Sequence, residues 1–509
     1  MFRFKKILIL TLFLVFQLNQ IVTAQSTLID QINDEVTQAD VEFNIYFLAA
    51  DEFLGRDTGT QELDIAARYI ATWFQINGIE PAAGHDSYYQ DVPLETFKAP
   101  DDIIFDISDI TYLKNRDLLT INNYRGEVNG PTIFLEYATE EEISENDVEG
   151  KIVIAKAGLP GQVTPQQLFG STMNKSRWVE ASGAVGLIEI YATPQLPWQF
   201  LVNFLSGDRM DLADLNGDEE EIQPKMPHLW INGNQENVAT HLSESSGEQA
   251  SISVTGPGNQ SISSRNVIGV LEGSDPDLKN EYLLLSAHYD HVGIMGGHPE
   301  PITSEFIFNG ARDNAVGTTG ILAAAKFLAA NPPKRSVIFA AWTAEEKGLL
   351  GSRYFSDNPM VPLEQIVYNL NIDGAGYNDT TKVTVIGLGR TEADDDLIAA
   401  ADAFDLEAIP DPVPEQNLFD RSDNVSFAAK GIPAPTYSLG LTAFDDEINY
   451  YYHQTTDEPH TINFEYITQY IRSFVLASIK VANAPEAPFW LPGDVYEPAG
   501  LELYGIETD

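Results

Sequence analysis

The side chains of this 509-residue chain that are able to do chemistry stand where apolar runs end. The run YLLLSA leads into His288-Tyr289-Asp290, SVIFAAW into Thr343-Ala344-Glu345-Glu346, and IVYNLNI into Asp373. Gly310-Ala311-Arg312-Asp313-Asn314 precedes a helical pattern, and Tyr452-His453-Gln454-Thr455-Thr456-Asp457 follows much later. Imidazoles and carboxylates are the nitrogen and oxygen donors that suit zinc and similar ions. Singly, each has a plainer role: an Asp after a strand caps or turns, and paired Glu residues opening a helix complement its dipole. Gathered at one edge of one sheet, so many like charges require a cation.

The elements that must place these groups alternate as strands and helices from residue 265 onward. Strand candidates are Asn266–Leu271, Tyr282–Ala287, Ser336–Trp342, Ile366–Ile372, Lys382–Ile386 and Ala434–Ser438; helix candidates are Val316–Ala330, Lys347–Ser356, Asp394–Phe404 and Phe464–Val481. Strands so uniformly apolar are buried on both faces, which predicts an α/β fold: a mixed, mostly parallel sheet sandwiched by helices. In such folds ligands bind outside the carboxyl ends of the strands, where the residues above fall. Earlier in the chain, residues 60–76 carry apolar positions at helical spacing before Gly78. Between 128 and 258 the character changes to short β runs, such as KIVIA and VGLIEI, separated by Gly/Pro loops. The expected organisation is therefore 25–127 as the N-terminal part of the catalytic domain, 128–258 as a β-rich insert, 259–483 as the catalytic domain, and 484–509 as a surface tail.

Residues 1–24 read as a signal peptide: Arg3, Lys5 and Lys6, then the apolar run Ile7–Phe16, then Val22-Thr23-Ala24 as a cleavage site. No later apolar run is long enough to span a bilayer, so an exported product, periplasmic or extracellular, is expected. The chain has no Cys, which excludes disulfides, thiolate zinc sites and thiol nucleophiles. A net charge of −47, from 29 Lys+Arg against 76 Asp+Glu, argues against nucleic acid or an anionic membrane as partner. The acidic stretch Asp214-Leu215-Asn216-Gly217-Asp218 lacks the frame of a calcium loop and is read as a turn.

The strings SAHYDHVG (286–293), NGARDNAVGTTGIL (309–322), IFAAWTAEEKGLLGSRYF (338–355), NLNIDGAG (369–376), RSDNVSFAAKGIP (421–433) and YYHQTTDEPHTI (451–462) resemble, in order and spacing, the co-catalytic di-zinc aminopeptidases of metallopeptidase family twenty-eight. The segment 47–74 is similar to that family's N-terminal region. The pair DVEGKIVIA (147–155) and EASGAVGLIEIY (180–191) is similar to the protease-associated domain often inserted ahead of its catalytic strands. The resemblance implies a zinc-exopeptidase fold holding two Zn2+. Asp313 would bridge both ions, His288 and Asp373 would complete one site, and Glu346 and His453 the other. It further implies Glu345 as the general base toward a metal-bridging water, and Asp290 as the acceptor of the second ring N–H of His288. Tyr452 would hydrogen-bond the oxyanion, Arg421 would contact substrate, and the Asp313–Asn314 peptide would be cis.

This sequence departs from the family pattern at Arg312, where many relatives have Asp, and at Asn424, where many have His. Both departures are expected to alter pocket shape and substrate preference. His85, His228, His241, His291, His298 and His460 are expected to be surface or structural. The function implied is an exported aminopeptidase acting on peptides or protein N-termini. A carboxypeptidase of the same fold needs cations for a free C-terminus, and this region is poor in Arg and Lys apart from Arg421. A non-catalytic, receptor-like binding protein is the reading from another class, distinguishable by its lack of stoichiometric zinc.

Overall fold

The structure is a computed structural model describing residues 27–162, 165–192, 197–213, 224–295 and 306–507. The expected signal peptide, the acidic turn at 214–218 and His298 lie outside these residues. The chain forms two units: one runs through Pro93 and resumes at Ser263, and the other is Leu94–Ile262.

The sheet of the first unit uses β1 (Tyr89–Phe97), β2 (Gln260–Leu271), β3 (Tyr282–His288), β4 (Ser336–Trp342), β5 (Ile366–Ile372), β6 (Lys382–Ile386), β7 (Glu407–Ile409) and β8 (Thr436–Leu439). Their spatial order is β7-β6-β8-β5-β3-β4-β2-β1. The centre is parallel, with β3 pairing β4 and β5, and β5 pairing β8. It is flanked antiparallel by β2 on β4 and by β6 on β8. The mixed, mostly parallel α/β sandwich expected from the apolar runs is the one observed.

Alternation explains why those runs look uniformly apolar. Leu283, Leu285 and Ala287 of β3 join a core with Val316, Leu322, Phe474 and other helical side chains, whereas Leu284 faces a second core with Trp342, Phe355 and Phe427. Each such Leu contributes about 1.5–3 kcal/mol on full burial. The helices are α1 (Gln38–Leu48), which the sequence reading did not anticipate, and α2 (Gln61–Ile76), α3 (Val316–Ala330), α4 (Leu350–Asp357), α5 (Asp394–Asp402) and α6 (Phe464–Asn483), which follow the predicted periodicity. α4 starts later than the expected Lys347, because Gly348 (φ 109°) and Leu349 (φ 60°) take left-handed backbone and interrupt the first turn. Among the described residues no helix is long and apolar enough to cross a membrane.

Two expected boundaries are corrected. Residues 94–127 belong to the second unit and not to the N-terminal part of the catalytic domain. Asp102–Ile107 is a half-buried strand that finds its antiparallel partner in Gln249–Thr255, far along the chain. The expected surface tail is also packed. Trp490 is buried beside Phe419 and Tyr496, its indole N–H donates to the Gly431 carbonyl at 2.9 Å, and Glu497–Leu503 is a helix.

The second unit holds an eight-stranded sheet in which Gly126–Phe134, Ile152–Lys156, Gly186–Tyr191 and His228–Asn232 run parallel. Lys175, on the helix Pro165–Ala181, is fully buried. It pairs with Glu189 and also donates to the carbonyls of Lys156 (2.7 Å) and Gly158 (3.0 Å). Glu189 also meets His228 Nε2 at 2.7 Å. Burial pushes the Glu189 carboxyl up, but Lys175 and His228 outweigh it and hold it at about 2. Its contribution to stability is therefore present above its ordinary value of 4.5 and is lost as pH falls through about 2. Lys175→Met strands a buried carboxylate and is expected to destabilise this unit by about 3–5 kcal/mol, read as a lower urea midpoint at neutral pH.

Candidate metal centre

The carboxyl ends of β3, β4 and β5 deliver His288, the Glu345–Glu346 turn and Asp373 to one place. The loop before α3 adds Asp313, and the segment before α6 adds His453. His288 Nε2 lies 3.2 Å from Asp313 Oδ1 and 3.2 Å from Asp373 Oδ1. His453 Nε2 lies 3.1 Å from Asp313 Oδ2 and 3.2 Å from Glu346 Oε2. Asp313 thus turns one oxygen to each of two donor groups, and all five expected ligands converge. A tetrahedral zinc with arms of about 2.0–2.1 Å holds its ligand atoms about 3.3 Å apart, so these separations fit that ion.

The electrostatics match a cation site. Against burial, the surrounding carboxylates hold His288 well above its usual value. His453, likewise against burial, is raised to about 10 by Asp313 and Glu346. Burial pushes the Asp313 carboxyl up, but hydrogen bonds with His288 and His453 bring it well below the usual range. Burial raises Glu345 strongly, with Asp373, Glu346 and Asp423 adding to the effect and His288 opposing it. Positive charge is therefore favoured throughout the cluster.

Local structure aims each group. Asp290 does so differently from the expectation: its carboxylate is 4.0 Å from His288 Nδ1, beyond hydrogen-bond range, and the Asp290 carbonyl approaches that nitrogen instead at 3.2 Å. Its carboxylate oxygens accept from the backbone N–H of Glu345 (3.1 Å) and of Glu346 (3.3 Å), and from the Thr58 hydroxyl (3.2 Å). Amides of the turn after β4 reach the carboxylate where the imidazole cannot, so Asp290 anchors both glutamates. Behind the cluster, the buried Arg56 guanidinium binds the carbonyls of Tyr289 and Gly310, tying the two loops that carry Asp290 and Asp313.

Asp313 sits in a loop held from two sides. The Asp457 carboxylate accepts from the backbone N–H of Arg312 and Asp313 and from the Arg312 guanidinium. Asn314 donates to the Ile372 carbonyl at the end of β5 and accepts from Gly317 N–H. The Asp313–Asn314 peptide is cis, as expected. A Cβ on Gly317 would stand 2.2 Å from Asn314 Oδ1 and 2.5 Å from the Ile372 carbonyl oxygen. Gly317→Ala is accordingly expected to cost about 1–3 kcal/mol of stability through overpacking. It should also weaken zinc binding because Asn314 moves with Asp313; thermal unfolding with and without zinc measures both.

A cavity opens over the cluster, walled by Ile386, Leu418, Leu441, Phe444, Tyr452 and Arg421. The Tyr452 ring lies tilted against that of His453 with ring centroids 4.1 Å apart, and its phenol oxygen is 3.5 Å from Arg421 Nη2. Arg312 and Asn424 do not line this cavity, so they do not shape it directly. Arg312 is buried on Asp457, Thr461 and the Tyr451 ring, and Asn424 donates to the carbonyls of Phe419 and Ala434. His85 and His460 are exposed and His228 is structural, as expected. His291 is the residue that sequence reasoning missed: it is buried, with Nδ1 2.7 Å from Glu346 Oε1. Its place one residue beyond Asp290 was the available signal.

Residues 266–476 match the family described as Peptidase family M28. Over 113 residues, 22% of this chain and 10% of the relative, the sequence is 36% identical to the vacuolar membrane protease of Saccharomyces cerevisiae. Over 283 residues it is 24% identical to aminopeptidase YwaD of Bacillus subtilis, covering 53% of this chain and 57% of that protein. The chain thus spans about a tenth of the vacuolar protease and just over half of the aminopeptidase. A solved aminopeptidase from Aneurinibacillus sp. strain AM-1 shares the fold at a TM-score of 0.57, with 19% identity, over 92% of this chain and 98% of that one.

Proposed function

We infer that this chain, whose residues 266–476 form a peptidase family M28 domain, is a zinc-dependent aminopeptidase that hydrolyses the bond after an N-terminal residue. The observation carrying this reading is Asp313, whose two oxygens face two separate donor groups, as a carboxylate shared by a pair of ions must. His288 and Asp373 would hold one zinc ion, and Glu346 and His453 the other. Bound there, the ions acidify water, polarise the scissile carbonyl and stabilise charge developing on it.

The chain's own groups do the rest. Glu345 lines the cavity beside His288 and Asp373 and takes the proton from the attacking water. The Tyr452 phenol, its pKa raised chiefly by burial, stays protonated and donates to the oxyanion. Arg421 contacts substrate at the rim, and the apolar wall excludes water from the N-terminal side chain. Residues 94–262 act as a protease-associated insert, residues 1–24 direct export to the periplasm or beyond, and peptides or protein N-termini are the partners.

Purified enzyme should hydrolyse aminoacyl-nitroanilides, leave N-blocked peptides intact, and carry two equivalents of zinc. Cleavage of N-blocked peptides from the C-terminus would make it a carboxypeptidase of the same fold. A chain without stoichiometric zinc and without activity would be the receptor-like alternative.

A further inference from the structure

We propose that His291 and Ser422 are positioning residues, each holding the outward oxygen of one terminal carboxylate ligand so that Glu346 and Asp373 turn a single oxygen toward the metal. This rests on reading the five converging side chains as ligands. Glu346 divides its oxygens: Oε2 faces His453 Nε2 at 3.2 Å, while Oε1 meets His291 Nδ1 at 2.7 Å. Asp373 divides its own in the same way: Oδ1 faces His288 Nε2 at 3.2 Å, and Oδ2 accepts from the Ser422 hydroxyl at 2.5 Å.

Distance separates holding from ligating. Donor atoms sharing one tetrahedral zinc stand about 3.3 Å apart, which the 3.1–3.2 Å separations within the cluster approach. A nitrogen 2.7 Å from a carboxylate oxygen is too close for a second ligand on the same ion and has the length of a charge-assisted hydrogen bond. An ionised Glu346 accepts only, so His291 Nδ1 carries the proton.

The direction of the Ser422 bond follows from the groups behind it. Asn369 Nδ2 donates to Ser286 Oγ at 2.9 Å, which sends the Ser286 proton to Asn371 Oδ1 at 3.0 Å. Asn371 is thereby oriented with its amide Nδ2 toward Ser422 Oγ, at 2.8 Å. An amide N–H only donates, so the single Ser422 proton goes to Asp373. This buried relay crosses from β3 through β5 and ends on a ligand. Such outer partners of a metal site typically account for about 10–100-fold in affinity.

The test uses the full chain, stripped of metal and titrated with zinc against a competing chelator, together with thermal unfolding of the metal-free protein. His291→Ala and Ser422→Ala should each weaken zinc binding by about 10–100-fold, with the metal-free unfolding temperature within a few degrees of the parent. His291→Asn, which keeps a donor near the Nδ1 position, and Ser422→Thr, which keeps the hydroxyl, should recover most of the affinity. If His291 were itself a ligand, His291→Asn would lose zinc as badly as His291→Ala, and the proposal would be overturned for that residue. Alanine variants that bind zinc within twofold of the parent, or that lose only metal-free stability, overturn it outright. A parent chain that binds no zinc would sink the metalloenzyme reading as well, so the two failures are told apart.

Discussion

Glu345→Gln should lower turnover by about 10²–10⁴-fold, the usual yield of a positioned base, while leaving zinc content unchanged. The argument rests on how two adjacent glutamates are made to diverge. Both backbone N–H groups are fixed by one carboxylate, that of Asp290, which holds the turn in a single orientation. Within it, Glu346 points to His453, and Glu345 points into the cavity beside His288 and Asp373. Burial raises the Glu345 carboxyl strongly, so it takes up a proton more readily than an exposed glutamate. Gln keeps size and polarity but cannot accept that proton, and substrate affinity need not fall with the rate. Steady-state kinetics beside metal analysis decides the matter. If Glu345→Gln lost zinc while Glu346→Ala kept it, the two roles would have to be exchanged.

The reach of sequence reasoning follows from what each feature depends on. β3, β4 and β5 are legible because both faces are buried, which leaves largely apolar runs, and because a ligand or acid stands within three residues after each run. The strand Glu407–Ile409 is too short to carry a pattern. The affiliation of residues 94–127 depended on pairing with Gln249–Thr255, and the packing of Trp490 on a carbonyl at Gly431. Neither contact leaves a trace in local composition. The resemblance implies Asp290 as the partner of His288, but backbone amides of the turn after β4 take its carboxylate instead. His291 was passed over because a lone histidine is usually structural. Its significance lies in one 2.7 Å contact with Glu346, across a loop that spacing alone cannot fold. Arg312 failed in the opposite sense: a change of charge beside the bridging residue suggested the pocket, yet the guanidinium turns inward onto Asp457.

Asp313→Ala should have the largest effect of any single substitution in the cluster, taking zinc from both donor groups and activity to the detection limit. Every other expected ligand serves one group, so its loss leaves the second group complete. Asp313 alone among them serves both, with Oδ1 at 3.2 Å from His288 Nε2 and Oδ2 at 3.1 Å from His453 Nε2. Losing the ions costs more than losing the base, because bound zinc brings the pKa of water from about 15.7 to about 7 and no side chain replaces that. The substitution also removes one of the carboxylates that hold His288 and His453 above their usual values against burial: for His288 it acts after Glu345 and Asp373, and for His453 together with Glu346. Asp313 is itself nearly fully buried, and its loop is anchored by Asp457 and Asn314 through contacts that do not involve its carboxylate. The metal-free fold should therefore survive, with its unfolding temperature no longer rising on addition of zinc. Glu346→Ala is the contrast: it should lose one equivalent and regain part of its activity in excess zinc, as mass action predicts for a weakened but incomplete site. Should Asp313→Ala retain even one tightly held zinc by metal analysis, the shared-carboxylate arrangement would fail, and with it the assignment of a paired centre.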